Sequence, residues 1–195
     1  KKNEEIHVIM VANFAFWHGL DRVIAGMKSY YNNHFERKFI LHVVGPLEEL
    51  SNIKSTCEDL IHNNYIYFYG KLDYLEVEKI YDKVSIAFEA FGMHRRASGQ
   101  ISSSIKSREY GAKGLPIVSS AIIDFVPERY PYFLKISEDE TPIDIKLILN
   151  FYDRIYAKGE LNVVKEMRSF SEKNCSSEKM MDPIIQFCKD FFDIS

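Results

Sequence analysis

The sequence predicts a doubly wound α/β domain, with a parallel sheet of about six strands and helices on both faces. Three observations carry this. Apolar runs of strand length alternate with segments of helical period along the 195 residues. Those runs are nearly continuous in apolar side chains, as strands buried on both faces must be. Glycine and proline punctuate them, at Gly45-Pro46 and at Gly114-Leu115-Pro116. Strands alternating with helices of about 10 to 15 residues imply right-handed crossovers and parallel pairing.

The elements follow in order. "IHVIMVAN" (6–13) is the first strand, and Leu20, Val23, Ile24, Met27 and Tyr31 then mark one face of a helix. "FILHVVG" (39–45) is the second strand, and the pattern predicts a helix over about 47–62. "IYFYG" (66–70) is the third strand and "YLEVEKIYDK" (74–83) an amphipathic helix. "VSIAFEAF" (84–91) is the fourth, followed by a polar loop and a helix containing Glu109. "LPIVSS" (115–120) and "YFLKI" (132–136) complete the set, and from Thr141 the pattern is helical to the end. No repeat, low-complexity segment or linker interrupts it. A single domain over 1–195 is expected, with its α/β core at about 6–140 and a helical tail at 141–195.

Composition narrows the function. A chain 46% hydrophobic has enough apolar residues for one substantial core. A formal net charge of -3 gives no basis for nucleic-acid binding, which favours a basic face. No apolar run reaches the roughly 18 residues that span a bilayer. Cys57, Cys175 and Cys188 are an odd set without metal-ligand spacing, which fits a reduced cytoplasmic protein. The six histidines form no H-E-x-x-H or Cys/His cluster, so no zinc site is expected. Residue 1 is lysine, and "KKNEE" runs straight into the first strand, so a processed or excised chain is expected.

In a doubly wound sheet, ligands bind beyond the carboxyl ends of the strands. The loops there read "NFAFWHG", "GPLEE", "YGKLD" and "EAFGMHRRASGQISSS". The last is long, carrying Gly92, His94, Arg95, Arg96, Gly99 and a serine run that leads into a helix. Serines capping a helix start leave backbone N–H groups and the positive end of the dipole exposed. With Arg95 and Arg96 upstream and Lys106 in the first turn, that end suits an anion such as a pyrophosphate. A basic surface loop explains the same residues. On the helix, Lys106, Glu109 and Lys113 share one stripe. It reads either as a solvated ion-pair stripe, adding a few tenths of a kcal/mol, or as a carboxylate placed to accept from ribose hydroxyls.

Three doubly wound classes are disfavoured. "ANFAFWHG" lacks the G-x-G-x-x-G of nicotinamide dehydrogenases. A phosphoacceptor receiver needs acids where Ala12-Asn13 and Tyr69-Gly70 stand. No G-x-x-x-x-G-K-[ST] is present for nucleoside triphosphate hydrolysis.

Four segments, in order, resemble the Rossmann-like C-terminal, nucleotide-sugar-binding domain of group-1-like bacterial glycosyltransferases of the GT-B fold. "WHGLDRVIAGM" is similar to the segment after that family's first strand, and "FILHVVG" to its "L-x-I-V-G" strand. "IYFYGKLDYLEVEKIYDKVSIAF" resembles "V-x-F-x-G-x-(V/L)… L-x-x-x-Y-x-x-(A/C)-D-V". "IKSREYGAKGLPIVSS" resembles "x-K-x-x-E-Y-x-A-x-G-x-P-V-V-x-S", the most specific of the four. The likeness covers about Ile6 to Ser120. The forms "WHG-x-(D/E)-R" and "K-(S/T)-R-E-Y" resemble bacterial surface-polysaccharide transferases.

The resemblance implies roles residue by residue. Glu109 matches the second glutamate of a glutamate-seven-residues-glutamate motif and implies a ribose contact; the first glutamate falls on Ile101, which cannot serve. Lys106, Ser103 and Ser104 match the helix start that faces the donor phosphates. The family's phosphate-binding arginine and lysine fall on Asn13 and His18, and His18, Arg95 or Arg96 would then donate in their place. Tyr69, Gly70, Lys71 and Leu72 match the stretch against the base.

The implied activity is hexosyl transfer from a nucleotide-sugar donor, with retention, to a glycan or lipid-linked acceptor. No D-x-D is present, so no metal and no cofactor are expected beyond the donor substrate. The acceptor would sit on an N-terminal domain absent here, leaving this chain inactive alone. The full enzyme would be cytoplasmic, with peripheral membrane association at the inner face. Two other readings remain: a GT-B sugar-nucleotide 2-epimerase and a non-catalytic α/β interaction domain.

Overall fold

A computed structural model describes residues 4–33, 35–46, 48–96, 101–127 and 129–192. The chain forms β1 (Glu5–Val11), α1 (Leu20–Asn32), β2 (Lys38–Val44), α2 (Ser51–Ser55), α3 (Glu58–His62), β3 (Ile66–Gly70) and α4 (Tyr74–Tyr81). It continues through β4 (Ile86–Phe88), β5 (Ile101–Ser102), α5 (Ile105–Lys113), β6 (Ile117–Ser119), β7 (Ile122–Ile123) and β8 (Phe133–Lys135). Three helices follow: α6 (Ile145–Tyr156), α7 (Glu160–Cys175) and α8 (Ser177–Phe192).

Six strands make one sheet in the order β3-β2-β1-β4-β6-β8, parallel at every step. They are the six apolar runs of the sequence. The order reverses between β1 and β4, which opens a crevice at their carboxyl ends. Ile6, Val8 and Met10 of β1, with Phe39, Leu41 and Val43 of β2, pack on one face against α1 and α6. Ile9, Ala87 and Ile117 pack on the other against Ile80 and Tyr81 of α4 and Tyr110 of α5. The helical tail joins this core through Ile148 and Phe151 of α6 and Val163 and Met167 of α7. α8 buries no side chain.

Gly26 explains how tightly α6 is docked. A Cβ there would stand 2.0 Å from the Ile143 carbonyl oxygen, so α1 and the segment entering α6 meet backbone to backbone.

Two expectations need correction. The helix expected over 47–62 is a 3-10 turn, Glu48–Leu50, followed by the separate helices α2 and α3. The Thr56 hydroxyl donates to Ile53 O at 2.7 Å, and the thiol of buried Cys57 donates to the same oxygen at 3.3 Å. These side chains take up the carbonyl that helix continuation would use, and Cys57 leaves helical geometry at φ -132. The second correction is an addition: β5 and β7 pair as a separate two-stranded parallel sheet. At two residues each they are too short to appear as apolar runs.

Candidate functional site

The site lies at the reversal point, between the loops after β1 and β4 and the start of α5. The loop after β1 ends in "WHG", and "LDR" opens α1. Gly19 adopts φ +69, and a Cβ there would meet Phe91 C at 2.7 Å, so only glycine lets the two loops touch. They are joined by Phe91 N–H to His18 O at 2.9 Å and Gly92 N–H to Trp17 O at 3.1 Å. The Arg22 guanidinium, 2% exposed, donates to Thr141 O at 2.8 Å, to Ser137 O, to Phe91 O and to Asp139 Oδ1 at 3.1 Å. It binds α1, the β4 loop and the approach to α6 together.

α5 begins at Ser104, whose hydroxyl accepts from the Ser107 N–H at 3.2 Å, and ends at Gly114 in the left-handed region. Tyr110 is fully buried; its hydroxyl accepts from Val11 N–H at 3.1 Å and donates to Phe88 O at 3.3 Å. α5 is thereby fixed against the ends of β1 and β4.

A cavity of about 220 Å³ opens here, lined by Trp17, His18, Glu89, Arg96, Ile101, Ser102, Ser103, Ser104 and Lys106 among others. Five residues singled out as phosphate donors therefore share one cavity: His18, Arg96, Ser103, Ser104 and Lys106. Arg96 is exposed and lies 5.1 Å from the centre of the Trp17 ring. His18 Nδ1 lies 3.0 Å from the Ala15 N–H nitrogen and 3.3 Å from the Ala15 carbonyl oxygen. Burial first, and then the Lys106 charge, push the His18 pKa down to about 4, so the ring is neutral at pH 7.

The serines are committed to the protein. Ser103 Oγ donates to Asp124 at 2.7 Å, and Ser104 Oγ donates to Glu89 at 3.1 Å. What α5 offers an anion is its first-turn N–H groups. The Lys106 ammonium donates to Glu89 O at 2.8 Å, and burial pushes its pKa down.

The other predicted residues lie outside the cavity lining. Asn13 is exposed after β1. The Arg95 guanidinium donates to Asp21, to Phe16 O and to Glu140, and these contacts with Arg95 and then His94 hold the Glu140 carboxyl down at about 2. Glu109 is exposed on α5, where its charge, after burial, pushes the Tyr81 phenol up. It also borders a groove of about 630 Å³ between α5, α7 and α8. Tyr69 donates or accepts at His42 Nδ1, 2.8 Å away, and stacks on that ring. Gly70 has φ +77, Lys71 is exposed, and Leu72 packs partly buried on the core. Gly99 lies outside the described residues.

Glu89 was missed. It sits in "VSIAFEAF", where an apolar run disguises it, although a lone acid ending a buried strand at the ligand edge is itself a signal. Among the described residues, no three His, Cys, Asp or Glu side chains are grouped to hold a metal, and no helix is long and apolar enough to cross a membrane.

The fold is similar to that of solved GT-B glycosyltransferases. A glycosyltransferase from Rickettsia africae matches with TM-score 0.71 at 14% identity, over 99% of this chain and 49% of its own. Anabaena HepE, solved with UDP-glucose, matches with TM-score 0.69 at 11% identity, over 95% of this chain and 49% of its own. Sucrose-phosphate synthase from Thermosynechococcus elongatus gives 0.66 at 18%, over 97% and 46%. The chain thus spans about half the length of these structures. No protein-family model matches it, and no curated protein does.

Proposed function

We propose that this chain is the donor-binding half of a glycosyltransferase that moves a hexosyl group from a nucleotide-sugar to a glycan or lipid-linked acceptor. One observation carries the reading: Lys106, Arg96, neutral His18 and the start of α5 converge on one cavity at the reversal point. Sugar transfer leaves a nucleoside diphosphate, and its growing charge is best stabilised by donors already fixed in place. A cavity of about 220 Å³ has room for a diphosphate, and the same proposal gives the ribose to Glu109 and the base to Tyr69, Gly70, Lys71 and Leu72, which lie outside that cavity. HepE's complexes with UDP and UDP-glucose make a uridine donor the first to try.

Retention, metal independence and a role in bacterial surface-polysaccharide synthesis at the cytoplasmic side of the membrane belong to the same proposal. So does the acceptor site on an N-terminal domain, without which this chain transfers no sugar.

The test is a thermal-shift panel of UDP, GDP, ADP and CMP sugars, since a ligand bound only to the folded state raises apparent stability, by about 2.7 kcal/mol at a hundredfold over Kd. One nucleotide class raising the melting temperature is the expected result. A flat panel counts against the donor site, and turnover by this chain alone refutes the divided-site reading.

A further inference from the structure

The cavity holds a group that an anion site does not call for. Glu89, 2% exposed, stands at the end of β4 with its carboxylate in the lining. Its Oε1 accepts from Ser102 Oγ at 2.9 Å and Ser104 Oγ at 3.1 Å, and its Oε2 from Ser119 Oγ at 3.4 Å. The Lys106 ammonium donates to the Glu89 backbone oxygen and stands 3.5 Å from Oε1. An ion at this depth costs several kcal/mol unless it is paired and hydrogen-bonded, and Glu89 is both. Three elements, β5, α5 and β6, each send it a hydroxyl.

A carboxylate repels phosphate, so its presence needs a reason. The charged and titratable groups facing Lys106 supply one. Arg96 comes from the β4 loop and neutral His18 from the β1 loop, and α5 adds the positive end of its dipole. Burial favours loss of the lysine proton, and the positive start of α5 acts in the same direction. Among the described lining residues, Glu89 is the one anion, and it opposes this loss.

We infer that Glu89 is a positioning residue: it keeps the Lys106 side chain protonated and pointed across the cavity floor, so that a phosphate-class anion meets a fixed ammonium. Ser102 and Ser104 then serve the carboxylate, and the carboxylate serves the lysine. An entering diphosphate would share the ammonium with Glu89.

Two measurements test this, and only the second rests on the proposed function. Carbon-13 NMR of Lys106 Cε in the full chain, titrated from about pH 6 to 11, reads the proton directly. In Glu89→Gln, whose amide oxygen still accepts from Ser102 and Ser104, the Lys106 midpoint falls by about one pH unit or more. An unchanged midpoint overturns the inference. UDP is then titrated across the same range. Its affinity for E89Q should fade at lower pH than for the parent, by about tenfold between the two midpoints. Adding Lys106→Arg, whose guanidinium keeps its charge, should abolish that fading. UDP affinity in E89Q that tracks the parent at every pH overturns the inference as well. A parent that binds no UDP sinks the donor reading, while the lysine titration still decides this one. Should E89Q not fold, Glu89→Asp, which draws the carboxylate back by one methylene, is titrated instead: the Lys106 midpoint must still fall, and an unmoved midpoint refutes the coupling.

Discussion

Arg95 grips both carboxylate oxygens of Asp21, at 2.9 and 2.8 Å, across 74 residues of chain. With Glu140 on its other side, this guanidinium fastens the β4 loop to the start of α1. Both acids are exposed, so the network contributes far less than a buried pair. Arg95→Gln should lower unfolding free energy only slightly and change UDP affinity less than about threefold. Lys106→Ala should cost about tenfold or more in UDP affinity, as loss of a charged hydrogen bond does. Denaturant melts and calorimetry on both variants separate the roles. If Arg95→Gln loses affinity while keeping stability, Arg95 belongs with the phosphate donors.

Glu109 divides the functional readings. On the donor reading its carboxylate accepts from ribose hydroxyls, and Glu109→Ala weakens nucleotide binding by about 1 to 3 kcal/mol. An interaction domain predicts no change. Because Glu109 is exposed, the fold should tolerate the substitution within about 0.5 kcal/mol, so the affinity change reads the site alone.

The fold was largely legible because burial on both faces leaves an apolar signature: all six sheet strands appear as runs such as "IHVIMVAN" and "FILHVVG". The site was less so. Position and charge singled out Lys106 and Arg96, whereas His18 came from the resemblance alone. The inward turn of Ser102 and Ser104 was hidden, since hydroxyls have no periodicity that tells which way they point. Glu89 was hidden by its own strand, and the break at Cys57 by a pattern that stays amphipathic across it. The "WHGLDR" segment was read for His18 alone. Gly19 and Arg22 answer to contacts with residues about 70 or more positions away, which no local window contains.

Acid should loosen the protein through two imidazoles. His18 and His42 both have pKa values lowered to about 4, chiefly by burial. In the unfolded chain each takes a proton near pH 6.5. Below that pH the unfolded state binds more protons, so stability present above pH 6.5 is lost as pH falls toward 4. The slope is about 1.4 kcal/mol per pH unit per group at most. His42 Nε2 lies 2.8 Å from His7 Nδ1, an arrangement that admits only one proton between them. His42→Gln should therefore start less stable at pH 7.5 but lose less between pH 6.5 and 4.5. An equal slope in both proteins, followed by chemical denaturation, would remove His42 from the account.

Gly26 sets helix propensity against packing. In the interior of α1, alanine for glycine would add about 1 kcal/mol by propensity alone. Here the new Cβ would stand 2.0 Å from Ile143 O, 2.9 Å from its C and 3.0 Å from its N, all backbone atoms. That backbone cannot retreat cheaply, because the Ile143 N–H donates to Arg22 O at 3.1 Å and Ile143 itself is 3% exposed in the core. Overpacking of this kind costs about 1 to 3 kcal/mol or more, so packing wins. Gly26→Ala should lower unfolding free energy by about 2 kcal/mol. Because Arg22 also holds the β4 loop through Phe91 O, a displaced α1 should weaken UDP binding too. Thermal and urea melts with a UDP titration check both effects. A stabilised variant would mean that the close approach of α1 to the entry of α6 is not part of the folded state.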